Sequence, residues 1–130
     1  MQSAKEIEAM QNKFHAELEK FKIAQKKSEK LVRLNSQLET QLHENEMVKE
    51  ELGFCKEDAR VFKLVGDVLV PQSLTEARSN VVRRIEYIQN ESKRNTELIN
   101  TNKTELVGLR DSVTALEQEL QKTQQASKVQ

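Results

Sequence analysis

Apolar residues recur at alternating spacings of three and four along the first part of the chain, the pattern of a coiled-coil helix. The stripe consists of Ile7, Met10, Phe14, Glu17, Phe21, Ala24, Ser28, Leu31, Asn35, Leu38, Leu42, Asn45, Lys49 and Leu52. Polar residues interrupt this stripe, while Leu18, Leu34 and Val48 widen it. The pattern predicts one long helix with an apolar face.

A second stripe with the same spacing fills the last third of the chain and predicts a second long helix. It consists of Ile85, Ile88, Ser92, Asn95, Ile99, Asn102, Leu106, Leu109, Val113, Leu116, Leu120 and Thr123. Each helix of roughly 50 residues would reach about 75 Å. Because a short segment joins them, we expect the helices to run antiparallel. The stripe asparagines either fix the register of the pair or face solvent in a loose rod.

Capping signals set the expected ends of the helices. Ser3 with Glu6, and Ser73 with the glutamate three residues later, have the spacing of a capping box. Gly53 stands where a left-handed glycine would end the first helix. These signals predict helices over 3–52 and 74–123, a β-hairpin over 60–71 and a frayed tail over 124–130, in a single domain spanning 1–130.

The segment between the helices is the part of the chain densest in β-branched and aromatic residues. Gly66 and Asp67 separate two short apolar runs, a composition typical of a type II′ hairpin turn. The turn predicts the pairs Val65 with Val68, Leu64 with Leu69, and Lys63 with Val70. Pro71 cannot donate to the ladder, so it ends the second strand or lies at an edge.

Both faces of this predicted hairpin are apolar. One face carries Phe62, Leu64 and Leu69; the other carries Val61, Val65, Val68 and Val70, with Lys63 among them. A lone hairpin is marginal in water, and each of these side chains contributes roughly 1.5–3 kcal/mol when fully buried. We therefore expect other chains to supply the missing strands, which makes the hairpin an assembly element.

Composition excludes several classes of function. The 130 residues include 21 basic and 21 acidic side chains, so the formal net charge is zero, which disfavours a nucleic-acid surface or a polybasic membrane anchor. No apolar run reaches the length of a membrane-spanning helix, and the charged N-terminus lacks the apolar core of a secretory signal. The single Cys55 fits a reducing compartment. We expect a cytoplasmic protein.

The sequence contains no recognisable catalytic constellation. His15 and His43 have no neighbouring ligand at metal-binding spacing, and the three glycines form no phosphate-binding loop. Glu50 and Glu51 are adjacent on a predicted helix and point in different directions. We therefore expect no enzymatic activity, no cofactor and no metal.

Apolar residues at the two predicted helix ends away from the hairpin, termed the tip residues, are the main candidates for binding. They are Ile7, Met10, Phe14, Leu18, Val113, Leu116 and Leu120. Spacing alone allows two interpretations. The tip residues either close the coiled coil, or the ends separate and present flexible apolar groups to a partner.

The central part of the chain resembles the prefoldin family. The matching motifs are Gln41-Leu42-His43-Glu44-Asn45, Val48-Lys49-Glu50-Glu51-Leu52, residues 61–72, Glu76-Ala77-Arg78 and Arg84-Ile85-Glu86-Tyr87-Ile88. The single hairpin is similar to that of β-type subunits, since α-type subunits carry two. Asp67 and Pro71 depart from the proline and lysine of many members.

The resemblance implies a mainly α fold, a long antiparallel two-helix coiled coil whose hairpin joins an intersubunit β-barrel. It implies a cytosolic hexamer with two α-type and three further β-type subunits. Such complexes capture unfolded proteins, notably actin and tubulin, at the tips of the coiled coils and deliver them to the group II chaperonin without ATP. The resemblance thus assigns the tip residues to client binding. The alternative function is a structural coiled-coil tether, against which the doubly apolar hairpin argues.

Overall fold

The computed structural model describes residues 3–129, with side chains as far as residue 126. Helix α1 spans Ala4–Phe54, strand β1 Val61–Val65, strand β2 Val68–Gln72, and helix α2 Leu74–Val129. The protein is therefore mainly helical, with two long helices and one hairpin between them. The predicted mainly α fold, with one hairpin between two long helices, is confirmed, whereas the intersubunit β-barrel stays a prediction.

Both helices begin at the expected capping residues. The Ser3 hydroxyl accepts a hydrogen bond from the Glu6 amide, and the Glu6 carboxylate accepts one from the Ser3 amide, each at 3.3 Å. At α2, the Ser73 hydroxyl accepts from the Glu76 amide at 3.0 Å. These bonds satisfy amide groups that have no partner within the first turn of a helix.

The first helix does not end as the glycine signal predicts. Helix α1 runs through Gly53 to Phe54, and of the described residues only Gly66 has a positive φ. The carbonyls at this end receive donors from elsewhere, chiefly the Arg78 guanidinium, which bonds to the Leu52 carbonyl. A left-handed glycine cap is consequently not needed.

The second helix extends beyond the predicted end. Residues 124–130 were expected to form a frayed tail, yet α2 continues from Leu74 to Val129, and Gln130 lies outside the described residues. The segment after Thr123 contains no proline or glycine, and five of its seven residues are glutamine, alanine or lysine. Such residues have good helix propensity, so nothing in the local sequence ends the helix.

The hairpin has the predicted register and turn. Val65 pairs with Val68, Leu64 with Leu69 and Lys63 with Val70. Gly66 has φ of +60° and Asp67 does not have a positive φ, which is the pattern of a type II′ turn. The strands cover residues 61–72 rather than 60–71, because Pro71 does not end β2; it pairs with Phe62 and the strand continues to Gln72.

Contacts divide the chain into two units. The terminal unit comprises the described parts of residues 1–32 and 97–130. Its buried apolar residues are Ala24, Leu31, Leu116 and Leu120. The Asn102 side chain is also buried, and its Nδ2 donates to the Ala24 carbonyl at 3.1 Å. Glu17, a polar stripe position, forms an ion pair with Lys20 at 3.3 Å.

The hairpin unit comprises residues 33–96. Its buried apolar residues are Leu38, Ala77, Val81, Ile85 and Ile88. Asn95 is also buried, and Arg84 Nη1 donates to Asn45 Oδ1 across the two helical segments at 3.4 Å. Lys49 is the one position of the two predicted stripes that is exposed in the described structure. The three–four spacing therefore identified the packed face of each helix.

Candidate assembly surface and client-binding residues

The hairpin exposes apolar side chains on both faces. Leu64 and Leu69, which are cross-strand partners on one face, are 66% and 63% exposed. Phe62, on the same face, is exposed as well; on the other face Val65 and Val68 are paired and similarly exposed, and Val70 is also exposed. The remaining predicted hairpin residue, Val61, is half-buried. Residues that are normally core-forming thus lie on the surface of the single chain.

The edges of this hairpin are also open to pairing. Within the described residues the sheet has two strands, β1 and β2, which pair with each other. Each strand therefore has one edge whose backbone donors and acceptors are free of a sheet partner. Such edges readily accept a further strand. Apolar faces and open edges together give the hairpin the properties of an assembly surface.

The tip residues lie on the packed side of the helices in the terminal unit. Ile7, Met10, Phe14, Leu18 and Val113 are half-buried. Leu116 and Leu120 are buried, each 8% exposed. The structure therefore has these side chains in the closed arrangement, one of the two interpretations that spacing allows, and client binding by them stays a prediction.

The hydrogen bond between Asn102 and Ala24 fixes which tip residues face each other. Counting fourteen residues from this bond, toward the N-terminus on α1 and toward the C-terminus on α2, puts Met10 opposite Leu116. Counting ten residues in the same way puts Phe14 opposite position 112, next to Val113, and counting seventeen puts Ile7 opposite position 119, next to Leu120. The structure thus brings the two groups of predicted residues to the same end of the helix pair.

Two residues on the helices that flank the hairpin were not singled out by their sequence pattern. Phe54, which lies beyond the predicted end of the first helix, is the last residue of α1 and is 78% exposed. Arg78 links the end of α1 to α2 through three hydrogen bonds. For Phe54, the available sequence signal was a single aromatic residue within a polar segment. For Arg78, no local sequence pattern indicates its hydrogen bonds.

The remaining candidates for chemistry in the described part of the chain are the two histidines and the single cysteine. His15 and His43 are exposed on the helix surface, and no group of three or more potential metal ligands comes together among the described residues. Cys55 is a half-buried free thiol whose Sγ lies 3.5 Å from the Glu51 carbonyl oxygen. None of the described helices is long and apolar enough to span a membrane.

Comparison with known protein families gives a consistent match. Residues 15–129 match the family model described as prefoldin subunit. A Drosophila melanogaster protein named probable prefoldin subunit 6 is 39% identical over 117 residues, covering 90% of this chain and 94% of its own length. The Mus musculus protein named prefoldin subunit 6 is 40% identical over 119 residues, covering 92% and 94%.

A solved structure has the same fold. The prefoldin beta subunit from Thermococcus strain KS-1 superimposes with a TM-score of 0.54 at 19% identity, covering 85% of this chain and 91% of that one. At that identity the likeness concerns the fold alone, with two helices flanking a hairpin. The family model and the sequence relatives span nearly the whole chain. The chain therefore belongs to the prefoldin family.

Proposed function

We propose that this chain is a subunit of an ATP-independent co-chaperone complex that captures unfolded proteins in the cytoplasm. Membership of the prefoldin family supports a co-chaperone role within a prefoldin complex. The observation that carries the proposal is the hairpin, whose apolar side chains are exposed on both faces of the single chain. A surface of that kind is expected to be covered by neighbouring subunits.

Assembly is the first part of the proposal. Two α-type and three further β-type subunits would add their strands to this hairpin and close a β-barrel. Closing the barrel removes the open edges. Each Leu or Val that becomes fully buried contributes roughly 1.5–3 kcal/mol, so a few such residues suffice to hold a subunit in place.

Client capture is the second part. The tip residues of several subunits would each make a weak apolar contact with an unfolded chain such as newly made actin or tubulin. Held together on one platform, these contacts reinforce one another through high effective concentration. Because each contact dissociates separately, the client can pass to the cytosolic chaperonin without an energy-consuming step.

The assembly step is tested by a double substitution, Leu64→Ser with Leu69→Ser. Both residues are exposed in the single chain, so the change is expected to alter its free energy of unfolding by no more than about 0.5 kcal/mol. We expect the variant to be absent from the reconstituted oligomer when its mass is measured. The matched control is Leu98→Ser, an exposed leucine on α2, which should assemble normally. Normal assembly of the double variant would refute the role of the hairpin.

The capture step is tested with Ile7, Met10, Phe14 and Leu116 all replaced by serine. We expect the assembled complex to lose its suppression of aggregation of a denatured client while keeping its mass. Leu38→Ser, which removes a buried leucine of the hairpin unit, controls for general loss of stability and should still suppress aggregation. Suppression that survives in a complex carrying the four serines would mean that other residues bind the client.

A further inference from the structure

The C-terminal end of α1 lacks a cap of its own. Its last turn contains no basic residue, and Gly53 does not adopt the left-handed conformation that commonly closes a helix. The last carbonyl groups of any helix need donors from outside it. The Cys55 amide supplies one of them to the Leu52 carbonyl, at 3.3 Å.

Arg78 supplies further donors from a distant point in the sequence. Its Nε and Nη2 donate to the Leu52 carbonyl at 3.1 and 2.8 Å, and Nη2 also donates to the Cys55 carbonyl at 3.2 Å. The guanidinium offers several donors in one rigid plane. Its positive charge also lies at the negative end of the α1 dipole, where a cation is favourable.

The hydrogen bonds of Arg78 connect the two ends of the segment that contains the hairpin. Strand β2 is joined to α2 through Ser73 alone, whereas β1 is joined to α1 through residues 55–60, which lie outside the helices and strands. The direction of β2 is therefore set by its short connection to α2. The end of α1 has no such constraint along the chain, and the hydrogen bonds of Arg78 provide one.

We propose that Arg78 is a positioning residue for subunit assembly. By tying the end of α1 to the start of α2, it sets the angle at which the hairpin leaves the helix pair, and so the fit of the hairpin among neighbouring strands. This inference rests on the proposed assembly role of the hairpin. It assigns Arg78 no contact with the client.

The first test measures amide hydrogen exchange in the hairpin of the full-length single chain. Arg78→Ala removes all the side-chain donors that link α2 to the end of α1. We therefore expect exchange over residues 55–72 to accelerate about tenfold, a change of about 1.4 kcal/mol in the free energy of local opening. Arg78→Lys keeps the charge but cannot reproduce the planar set of donors. Its hairpin should therefore exchange at a rate between those of Arg78→Ala and the native chain. Arg83→Ala, which removes only a local bond to the Ser79 hydroxyl, should leave the exchange unchanged.

The second test measures incorporation into the oligomer, in competition with the native chain and well below the melting temperature of either. We expect Arg78→Ala to be incorporated about tenfold less well and Arg83→Ala as well as the native chain. Ile88→Val shortens the side chain of a buried residue of the hairpin unit. It therefore serves as a control that lowers stability but leaves the hydrogen bonds of Arg78 in place. If Arg78→Ala is incorporated no worse than an equally destabilised Ile88 variant, the positioning role is wrong.

The two proposals fail in different ways. If Leu64→Ser with Leu69→Ser assembles normally, the hairpin itself is not the assembly element and both proposals fall. If that double variant is excluded from the oligomer while Arg78→Ala is incorporated like the native chain, only the inference about Arg78 is overturned. Slowed incorporation of Arg78→Ala together with faster exchange in the hairpin supports it.

Discussion

At the scale of single residues, the buried asparagines distinguish this helix pair from a purely apolar coiled coil. Asn102 is 2% exposed, and its amide donates to the carbonyl of Ala24, itself 3% exposed. The small alanine side chain leaves room for this approach to the backbone. A buried polar group of this kind favours the one register in which it is satisfied, at a cost in stability.

Asn102→Ala is expected to lower the free energy of unfolding of the chain by about 1–2 kcal/mol, since it removes a buried hydrogen bond and its packing. Chemical denaturation of the purified chain measures this loss. Asn100→Ala is the matched control, because Asn100 is exposed on the same helix and should change stability by no more than about 0.5 kcal/mol. Equal effects of the two changes would contradict the structural role of the buried amide.

At the scale of elements, the hairpin depends on the conformation of its turn. Gly66 has a φ of +60°, which residues with a Cβ adopt only at a cost. A Cβ added there would meet no heavy atom within 4 Å, so the cost is one of backbone conformation and not of a collision. Gly108 has equally open surroundings, but it lies within α2.

The same substitution at these two glycines is expected to have opposite effects. Gly66→Ala should destabilise the hairpin by about 1–2 kcal/mol, seen as faster amide exchange over residues 61–72 and weaker incorporation into the oligomer. Gly108→Ala should stabilise α2 by roughly 0.5–1 kcal/mol, seen as a higher midpoint of denaturation. A neutral Gly66→Ala would mean that the turn tolerates another conformation.

At the scale of the whole molecule, the proposed function requires two kinds of apolar surface on one chain, the hairpin for assembly and the tip residues for client binding. The hairpin surface is exposed in the single chain, whereas Leu116 and Leu120 are buried in the terminal unit. An assembly surface needs no rearrangement to meet its partners. Client capture by the tip residues, in contrast, requires the helix ends to separate, which is easiest where a helix has few neighbours.

Locking the helix ends together is expected to abolish capture. The register puts Met10 opposite Leu116, so cysteines at these two positions, in a chain with Cys55→Ser, offer a crosslink across the pair. We expect the oxidised complex to lose its suppression of client aggregation and the same complex to regain it on reduction. Undiminished suppression by the oxidised complex would show that clients bind the closed helices.

Features of the fold that depend on neighbours along the chain could be predicted from the amino-acid sequence alone. Helix starts follow from the Ser-x-x-Glu spacing, and the packed face of each helix follows from the three–four spacing. The strand register follows from the Gly66-Asp67 turn, because a two-residue turn leaves one way to pair the flanking residues. Each of these features has a pattern that can be read within a few positions along the chain.

Features that depend on residues far apart in sequence could not be predicted in this way and became visible in the folded chain. Near the end of α1, Arg78 donates across 26 positions to the Leu52 carbonyl, and Gly53 does not take the expected left-handed conformation. The burial of Asn102 is decided by Ala24, 78 positions away. Neither outcome has a local signature, because a donor and acceptor on different helices meet only once the pair has taken its register.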